Sequence, residues 1–463
     1  MIDLSELTVR TAGDLLDARS LSSQELVEAT LARIEETEPL VHAYATVMAE
    51  SARAAARRAD EERANGVRRS PLHGIPVAVK DVLWTHDAPS EAGSRVLAGF
   101  LPPEDATAVR RLREAGAVLV GKHVTHEFAC GQDVPPTRSA WNSEHYPGGS
   151  SAGAGVSVAV GSSLAALGTD AGGSVRKPAS INGVAGLKAT YGRVSRHGVI
   201  PPTGTLDHVA IVARTVEDCA LVLHEIAGPD PADPTALDEP VPDYAAALEG
   251  GLAGTRLGVP GYFLGVDLEA EVRAVVEVAL GELQQLGAEL VELELPSFEL
   301  TLPVGFTILL AEGGASHLGW LRERTHDYLP ETRRLLELGA LLPAGLVEAA
   351  QRARSLMRKE VREAFRTARV DALVTPTLPR LSIPIDEMVI PVDLPRYIPY
   401  TMPFNLTGLP AITVPCGFSS TGLPVGLQLA GAPLDEATIL RIARAYEQAT
   451  SWHLRRPPVA VAA

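Results

Sequence analysis

The chain has little cysteine, no surplus of positive charge and no uncharged apolar run of about 18 residues, the length a membrane-spanning helix needs. Three cysteines, Cys130, Cys219 and Cys416, stand among 463 residues without paired spacing. That excludes a disulfide scaffold and a cysteine-rich zinc site, and it fits free thiols in a reducing compartment. The formal net charge of −16 argues against a nucleic-acid partner, whose phosphates bind through Lys and Arg, and against anionic membranes. Met-Ile-Asp-Leu-Ser-Glu-Leu opens the chain with neither a basic n-region nor an apolar h-region, so no signal peptide is expected and the expected location is cytoplasmic. His123, His126 and Glu127 lie close together but do not form His-Glu-x-x-His, so no metal is expected. Short-period repeats and a low-complexity tail are also missing.

What is present is the composition of a globular protein: 46% apolar and 21% charged residues, ample for a large core. The length allows two or three domains, but large α/β enzymes reach it as one. Residues 5–65 have helical spacing, with cap-type Ser22-Ser23-Gln24-Glu25 ahead of Leu26, Ala29, Leu31 and Ile34. From Leu72 onward the texture becomes short apolar runs between turns. Ile75–Val79, Ala117–Val120, Ala372–Thr375 and Ala411–Val414 read as buried strands, Leu257–Val259 is a further short apolar run, and a strand is expected near 288–294. Arg110–Glu114, Val216–Ile226 and residues 268–286 read as helices between them. This alternation predicts an α/β fold: a single large domain over residues 1–463, with a central mixed β-sheet flanked by helices. Residues 1–66 form a helical N-terminal segment in this scheme. Residues 228–400 supply substrate-pocket insertions and a lid, with helices over 301–370 and a Pro-rich loop at 380–402.

The most informative stretch is 148–174, where fourteen of 27 residues are Gly or Ser. A flexible linker has that composition too, but Val156–Leu167 is apolar and reads as a buried helix with small side chains. Two Gly/Ser turns frame it, Gly148–Gly153 and Gly168–Ser174. Each presents a serine: Ser150 or Ser151 in the first, Ser174 in the second. Gly149-Ser-Ser151-Ala-Gly153 matches G-x-S-x-G, but a turn-rich segment precedes it, and none of the late histidines, His317, His326 and His453, follows a strand-like run. Gly116-Ala-Val-Leu-Val-Gly121-Lys122-His123 comes near a phosphate loop, but its inner residues are strand-like and His123 stands where Ser or Thr should be.

A serine hydroxyl needs a base. Lys80, at the end of the strand Ile75–Val79, can be that base if burial holds its amine neutral, since a solvated lysine titrates at about 10.4. A lysine ion-paired with the adjacent Asp81 is the structural alternative. Ala171-Gly172-Gly173-Ser174 offers successive backbone N–H groups for a developing oxyanion. Asp170 is expected to accept hydrogen bonds from that loop, and Arg176 to fix the turn.

Together these residues resemble the amidase signature family. The segments that carry the resemblance include Leu72-His-Gly-Ile-Pro-Val-Ala-Val-Lys80-Asp81, Pro147-Gly-Gly-Ser-Ser151, Gly168-Thr-Asp-Ala-Gly-Gly-Ser174-Val-Arg176, Gly183-Val-Ala-Gly-Leu-Lys188 and Asn405-Leu-Thr-Gly-Leu-Pro410. The resemblance implies the amidase signature fold and a Ser–cis-Ser–Lys triad: Ser174 the nucleophile, Ser150 the relay, Lys80 the base. It places the oxyanion hole on Ala171, Gly172, Gly173 and Ser174, the acyl-site loop on Ala129, Cys130 and Gly131, and a supporting role on Ser151. It requires no cofactor. Ala152 and Ala154 depart from the family's usual Gly and Ser.

The implied function is hydrolysis of a carboxamide or carbamate C–N bond through an acyl-enzyme on Ser174, with aryl-amide, urethane and ester substrates open. The expected partner is a small-molecule amide or carbamate, without nucleic acid or membrane and with room for a homodimer. The alternative is the glutaminase component of a tRNA-dependent amidotransferase, its A subunit. Gln351-Arg-Ala-Arg354-Ser-Leu echoes the helix of that component only in part. A non-catalytic binding protein on the same fold is a third reading, opposed by the three triad residues. Leu302, Phe306, Leu309 and Leu310 hint at an apolar pocket, and helical core packing explains them equally well.

Overall fold

The strands predicted as apolar runs become members of one sheet. The computed structural model describes residues 4, 6–131, 133–200, 204–265 and 268–458; residues 1–3 and 5 of the expected N-terminal segment lie outside these. The strands are β1 (Tyr44–Val47), β2 (Pro76–Lys80), β3 (Val118–His123), β4 (Ala165–Thr169), β5 (Ala185–Lys188), β6 (Val209–Ala213), β7 (Arg256–Pro260), β8 (Glu289–Leu293), β9 (Ala372–Pro376), β10 (Ala411–Phe418) and β11 (Pro424–Gly431). Among the described residues they form an 11-stranded mixed sheet in the order β1-β3-β2-β4-β6-β5-β10-β11-β9-β7-β8. β2 runs parallel to β3 and β4, β7 runs parallel to β8 and β9, and the remaining pairs are antiparallel.

Every residue of β2, β3, β4, β5, β6 and β9 is buried. Helices cover both faces, which explains why these strands read as continuous apolar runs rather than as alternation. The outermost strand β8 carries Glu289 and Glu292 and stays partly exposed, a charged edge that resists pairing with another sheet.

Two local expectations are corrected. Val156–Leu167 is not one helix. The helix Ala152–Val160 ends at Gly161, whose φ of 76° caps it in the left-handed region, and the chain then enters β4. The N-terminal segment is not wholly helical either, because β1 interrupts it and pairs with β3. Ser22 and Glu25 do form a capping box at the helix Ser23–Val41.

Residues 301–370 fold into the helices Thr301–Ser316, Leu318–Glu323, Pro330–Ala340 and Ala344–Ala368. Pro296–Ser316, with mean hydropathy 1.2, is long and apolar enough to cross a membrane by length and composition, contrary to the expectation of no such segment. In the fold it packs on the helices Pro330–Ala340 and Ala344–Ala368. Residues 380–402 are largely irregular, with short helical turns at Ile390–Asp393 and Leu394–Tyr397.

Candidate active site

Lys80 is the last residue of β2, and Thr169 the last of β4. The two strands run parallel with Val79 opposite Leu167, so both carboxyl ends deliver their side chains to one place. Ligands in open α/β sheets bind at such strand ends. Lys80 Nζ donates to Ser150 Oγ at 2.8 Å and to Thr169 Oγ1 at 2.8 Å, and the side chain is sealed from solvent. Burial lowers its amine from 10.5 to about 7; Asp207 and Asp170 pull the other way.

The alternative of a Lys80–Asp81 ion pair does not hold. Asp81 faces Lys122 at 3.4 Å. Lys122 Nζ also donates to the Leu83 carbonyl at 2.9 Å and to Ser90 Oγ at 2.5 Å. Lys122, the residue that suggested a phosphate loop, thus occupies the carboxylate that would have kept Lys80 charged.

Ser150 and Ser174 line one cavity, and Ser150 follows a cis peptide bond at Gly149–Ser150. The two Gly/Ser turns are tied directly. The Ser151 N–H donates to the Ser174 carbonyl at 3.0 Å, and Ser151 Oγ donates to the Thr169 carbonyl at 3.2 Å.

Asp170 organises the second turn. Its carboxylate accepts from the N–H groups of Gly173 at 2.8 Å, Val175 at 3.2 Å and Arg176 at 3.3 Å. It also receives the Arg176 guanidinium at 2.8 and 3.0 Å, and Asn405 Nδ2 at 2.9 Å. Burial by itself would raise the Asp170 carboxyl. Arg176, Lys188 and the Asn405 amide outweigh it and hold the group well below the usual carboxylate range. Arg176 continues outward to the Thr401 carbonyl at 2.9 Å, Gln428 Oε1 at 2.8 Å and Asn405 Oδ1 at 2.7 Å.

The expected oxyanion hole is narrowed by this arrangement. The Gly173 N–H is already bonded to Asp170, so it is not free for an oxyanion. Among the described residues the N–H groups of Ala171, Gly172 and Ser174 have no hydrogen-bond acceptor, and they remain for it. Gly173 has another role. Its φ is +105°, and a Cβ there would collide with the Thr401 side chain, so only glycine fits.

Ala129, Cys130 and Gly131 line the same cavity. Burial pushes the Cys130 thiol well above its ordinary range, so it is not a thiolate nucleophile. Much of the lining is apolar: Phe306, Leu309, Leu335, Leu394, Ile398 and Met402. Of the four side chains suspected in the helix that begins at Thr301, Phe306 and Leu309 line the cavity and Leu302 and Leu310 do not. The loop 380–402 supplies the wall through Leu394, Pro395 and Ile398.

The three residues weighed as metal ligands are not brought together. His123, held down to about 3 by burial, lies against the Tyr44 ring at 4.8 Å. His126 meets the Tyr146 hydroxyl at 3.2 Å, and Glu127 accepts from Ser94 Oγ at 2.7 Å. An exposed group with metal-like spacing, His86, Asp87 and Asp105, lies elsewhere, and Arg113 pairs with both carboxylates.

Sequence reasoning missed Thr169, Thr401, Gln428 and Lys177. Thr169 adjoins Asp170 in one of the family segments, but its contact with Lys80 depends on strand pairing. Thr401 and Gln428 come from a distant part of the chain and carry no local signal. Asn405 lies in another family segment, where residue type alone gives it no role.

The family model described as Amidase matches residues 25–440. The chain belongs to the amidase signature family. It is therefore a C–N hydrolase by family. It is 44% identical to the A subunit of the glutamyl-tRNA(Gln) amidotransferase of Chloroflexus aggregans, over 99% of this chain and 100% of that protein. The crystal structure of the subunit of the same name from Thermotoga maritima superposes with a TM-score of 0.82 at 34% identity, covering 97% of this chain and 96% of that one. The peptide amidase of Stenotrophomonas maltophilia gives 0.85 at 34% identity, covering 98% of each chain.

These relatives correct the partner expectation. The Chloroflexus protein is by name one component of an enzyme for a tRNA. The expectation of a partner set without nucleic acid is overturned by that finding. Net charge misled because it sums a whole chain's surface and does not show where a patch that meets phosphates could lie. The same relatives favour the amidotransferase component over the free-standing amidase.

Proposed function

We propose that the chain hydrolyses a carboxamide through an acyl-enzyme on Ser174, as the ammonia-releasing component of a tRNA-dependent amidotransferase. The chemistry rests on one observation: an amine lowered to about 7 and sealed from solvent donates to Ser150 at 2.8 Å, in the turn that shares a cavity with Ser174. Neutral Lys80 takes the Ser150 proton as Ser150 takes that of Ser174. Ser174 Oγ adds to the carbonyl carbon, and the N–H groups of Ala171, Gly172 and Ser174 meet the oxyanion. The proton returns through Ser150 to the nitrogen, which leaves as amine or ammonia. Water then adds to the acyl-enzyme by the same relay and releases the acid. The amidotransferase role is supported by similarity along the whole length of relatives bearing that name.

A second reading, a free-standing amidase for amides, aryl amides or carbamates, has one observation in its favour. Among the described residues no carboxylate lines the cavity to meet the ammonium of glutamine. Ammonia release from glutamine, assayed on the purified chain with and without the other amidotransferase components, separates the two. Glutamine turnover that rises with those components supports the amidotransferase role. Anilide or carbamate turnover without glutamine turnover supports the free-standing enzyme.

A further inference from the structure

Lys177 is the single charged side chain in the cavity wall among the described residues, and the proton relay does not use it. It sits in the first turn of the helix Arg176–Asn182, its backbone N–H bonded to the Gly173 carbonyl at 2.8 Å. The residue is 9% exposed. Its Nζ makes no hydrogen bond or ion pair among the described residues. The opposite charge that acts on it, Asp170, is already taken by Arg176 at 2.8 Å.

The side chain is mostly buried, and the nearby Arg176 guanidinium repels its ammonium. Burial lowers this amine to about 8, so it is still mostly cationic at neutral pH. Among the described residues no carboxylate lines the cavity to pair with it. Phe306, Leu309, Leu335 and Ile398, which also line the cavity, have no polar side-chain atom to offer. The cavity therefore holds a nucleophile, an apolar wall and one cation without a counter-ion.

We propose that Lys177 pairs with a carboxylate carried by the substrate, so that the preferred substrates are amides bearing a negative group. This rests on the Ser174 reading and names the substrate class for the same site. Glutamine belongs to that class through its α-carboxylate; dicarboxylic monoamides belong to it too.

Lys177 also repels a protonated Lys80, which offers a purely electrostatic alternative. The two roles separate on substrates that differ by one charge. Glutaramate carries a carboxylate where pentanamide carries a methyl group. We expect wild-type kcat/KM to favour glutaramate by about 30-fold or more, the scale of a desolvated charge pair. Lys177→Met should collapse that ratio, with the loss in the KM for glutaramate, and Lys177→Arg should restore much of it. An unchanged ratio in Lys177→Met, with losses equal on both amides and a shifted pH midpoint, overturns the pairing in favour of electrostatic tuning. So does a wild-type enzyme indifferent to the carboxylate. If neither amide is turned over, the Ser174→Ala protein is titrated with glutaramate and pentanamide, and equal affinity overturns the pairing. Full turnover by Ser174→Ala would instead sink the nucleophile assignment, while the carboxylate preference survived.

Discussion

Lys80 shows how one residue's chemistry depends on the charges its neighbours claim. Asp81 is adjacent in sequence, yet Lys122 holds it, and Lys80 is left with two hydroxyls. Activity should therefore follow the neutral fraction of a base lowered to about 7. The sign is fixed by the role: protonation removes the base, so kcat/KM on an uncharged amide, which does not use the Lys177 charge, rises as pH climbs through about 7 and levels off above it. A rate that keeps climbing toward pH 10, where a solvated lysine at about 10.4 would titrate, contradicts this. Ser174→Ala and Lys80→Met should each lower kcat by about 10³-fold or more. Retained activity in Ser174→Ala that co-purifies with the protein, and not with a contaminant, would refute its role.

At the scale of the element, the turn 168–176 is held by a carboxylate rather than by its own backbone. Asp170 gathers three N–H groups, and Arg176 carries the connection to Thr401, Asn405 and Gln428. Removing one partner from a buried pair leaves the other uncompensated. Asp170→Asn should cost about 3–5 kcal/mol, read from the urea midpoint. Because the Asp170 carboxyl is held below its usual range, its contribution is complete above about pH 4 and fades only under more acid conditions. The variant's deficit should therefore be constant from about pH 6 to about pH 8. A loss below about 1 kcal/mol would mean that the network is dispensable. Gly173→Ala should damage turnover as well as stability, since the Thr401 clash moves the backbone between Gly172 and Ser174.

Across the whole molecule, the β10–β11 hairpin joins what the chain order keeps apart. β10 pairs with β5 from the first half, and β11 pairs with β9 from the second. Truncation before Ala411 would leave both β5 and β9 as open, fully buried-type edges. Such a chain is expected to aggregate, which soluble yield and size-exclusion chromatography would show. A soluble, monomeric truncation would mean that the two halves fold separately.

Much of this was legible in the residues themselves. Short apolar runs marked buried strands because helices cover both faces of the sheet. The Gly/Ser turns marked a place where backbone must come close, and Ser174, Ser150 and Lys80 were named from residue type and motif. Burial of Lys80 was an inference from its place at a strand end. Its release from Asp81 was not legible, because that depends on Lys122 arriving from β3. The oxyanion donors were over-counted for a similar reason: four successive N–H groups look equivalent until Asp170 claims one. The split of Val156–Leu167 at Gly161 was missed because small apolar residues suit both helix and strand.

Local chemistry, written in residue types and spacing, determined the family and the α/β class, and it nominated Lys80, Ser150 and Ser174 for the reaction. Only the tertiary structure decided which charges are paired and which are left alone. A pairing depends on distance through space, and strands far apart in the chain set those distances. Lys80 without a carboxylate and Lys177 without a counter-ion are properties of the assembled cavity.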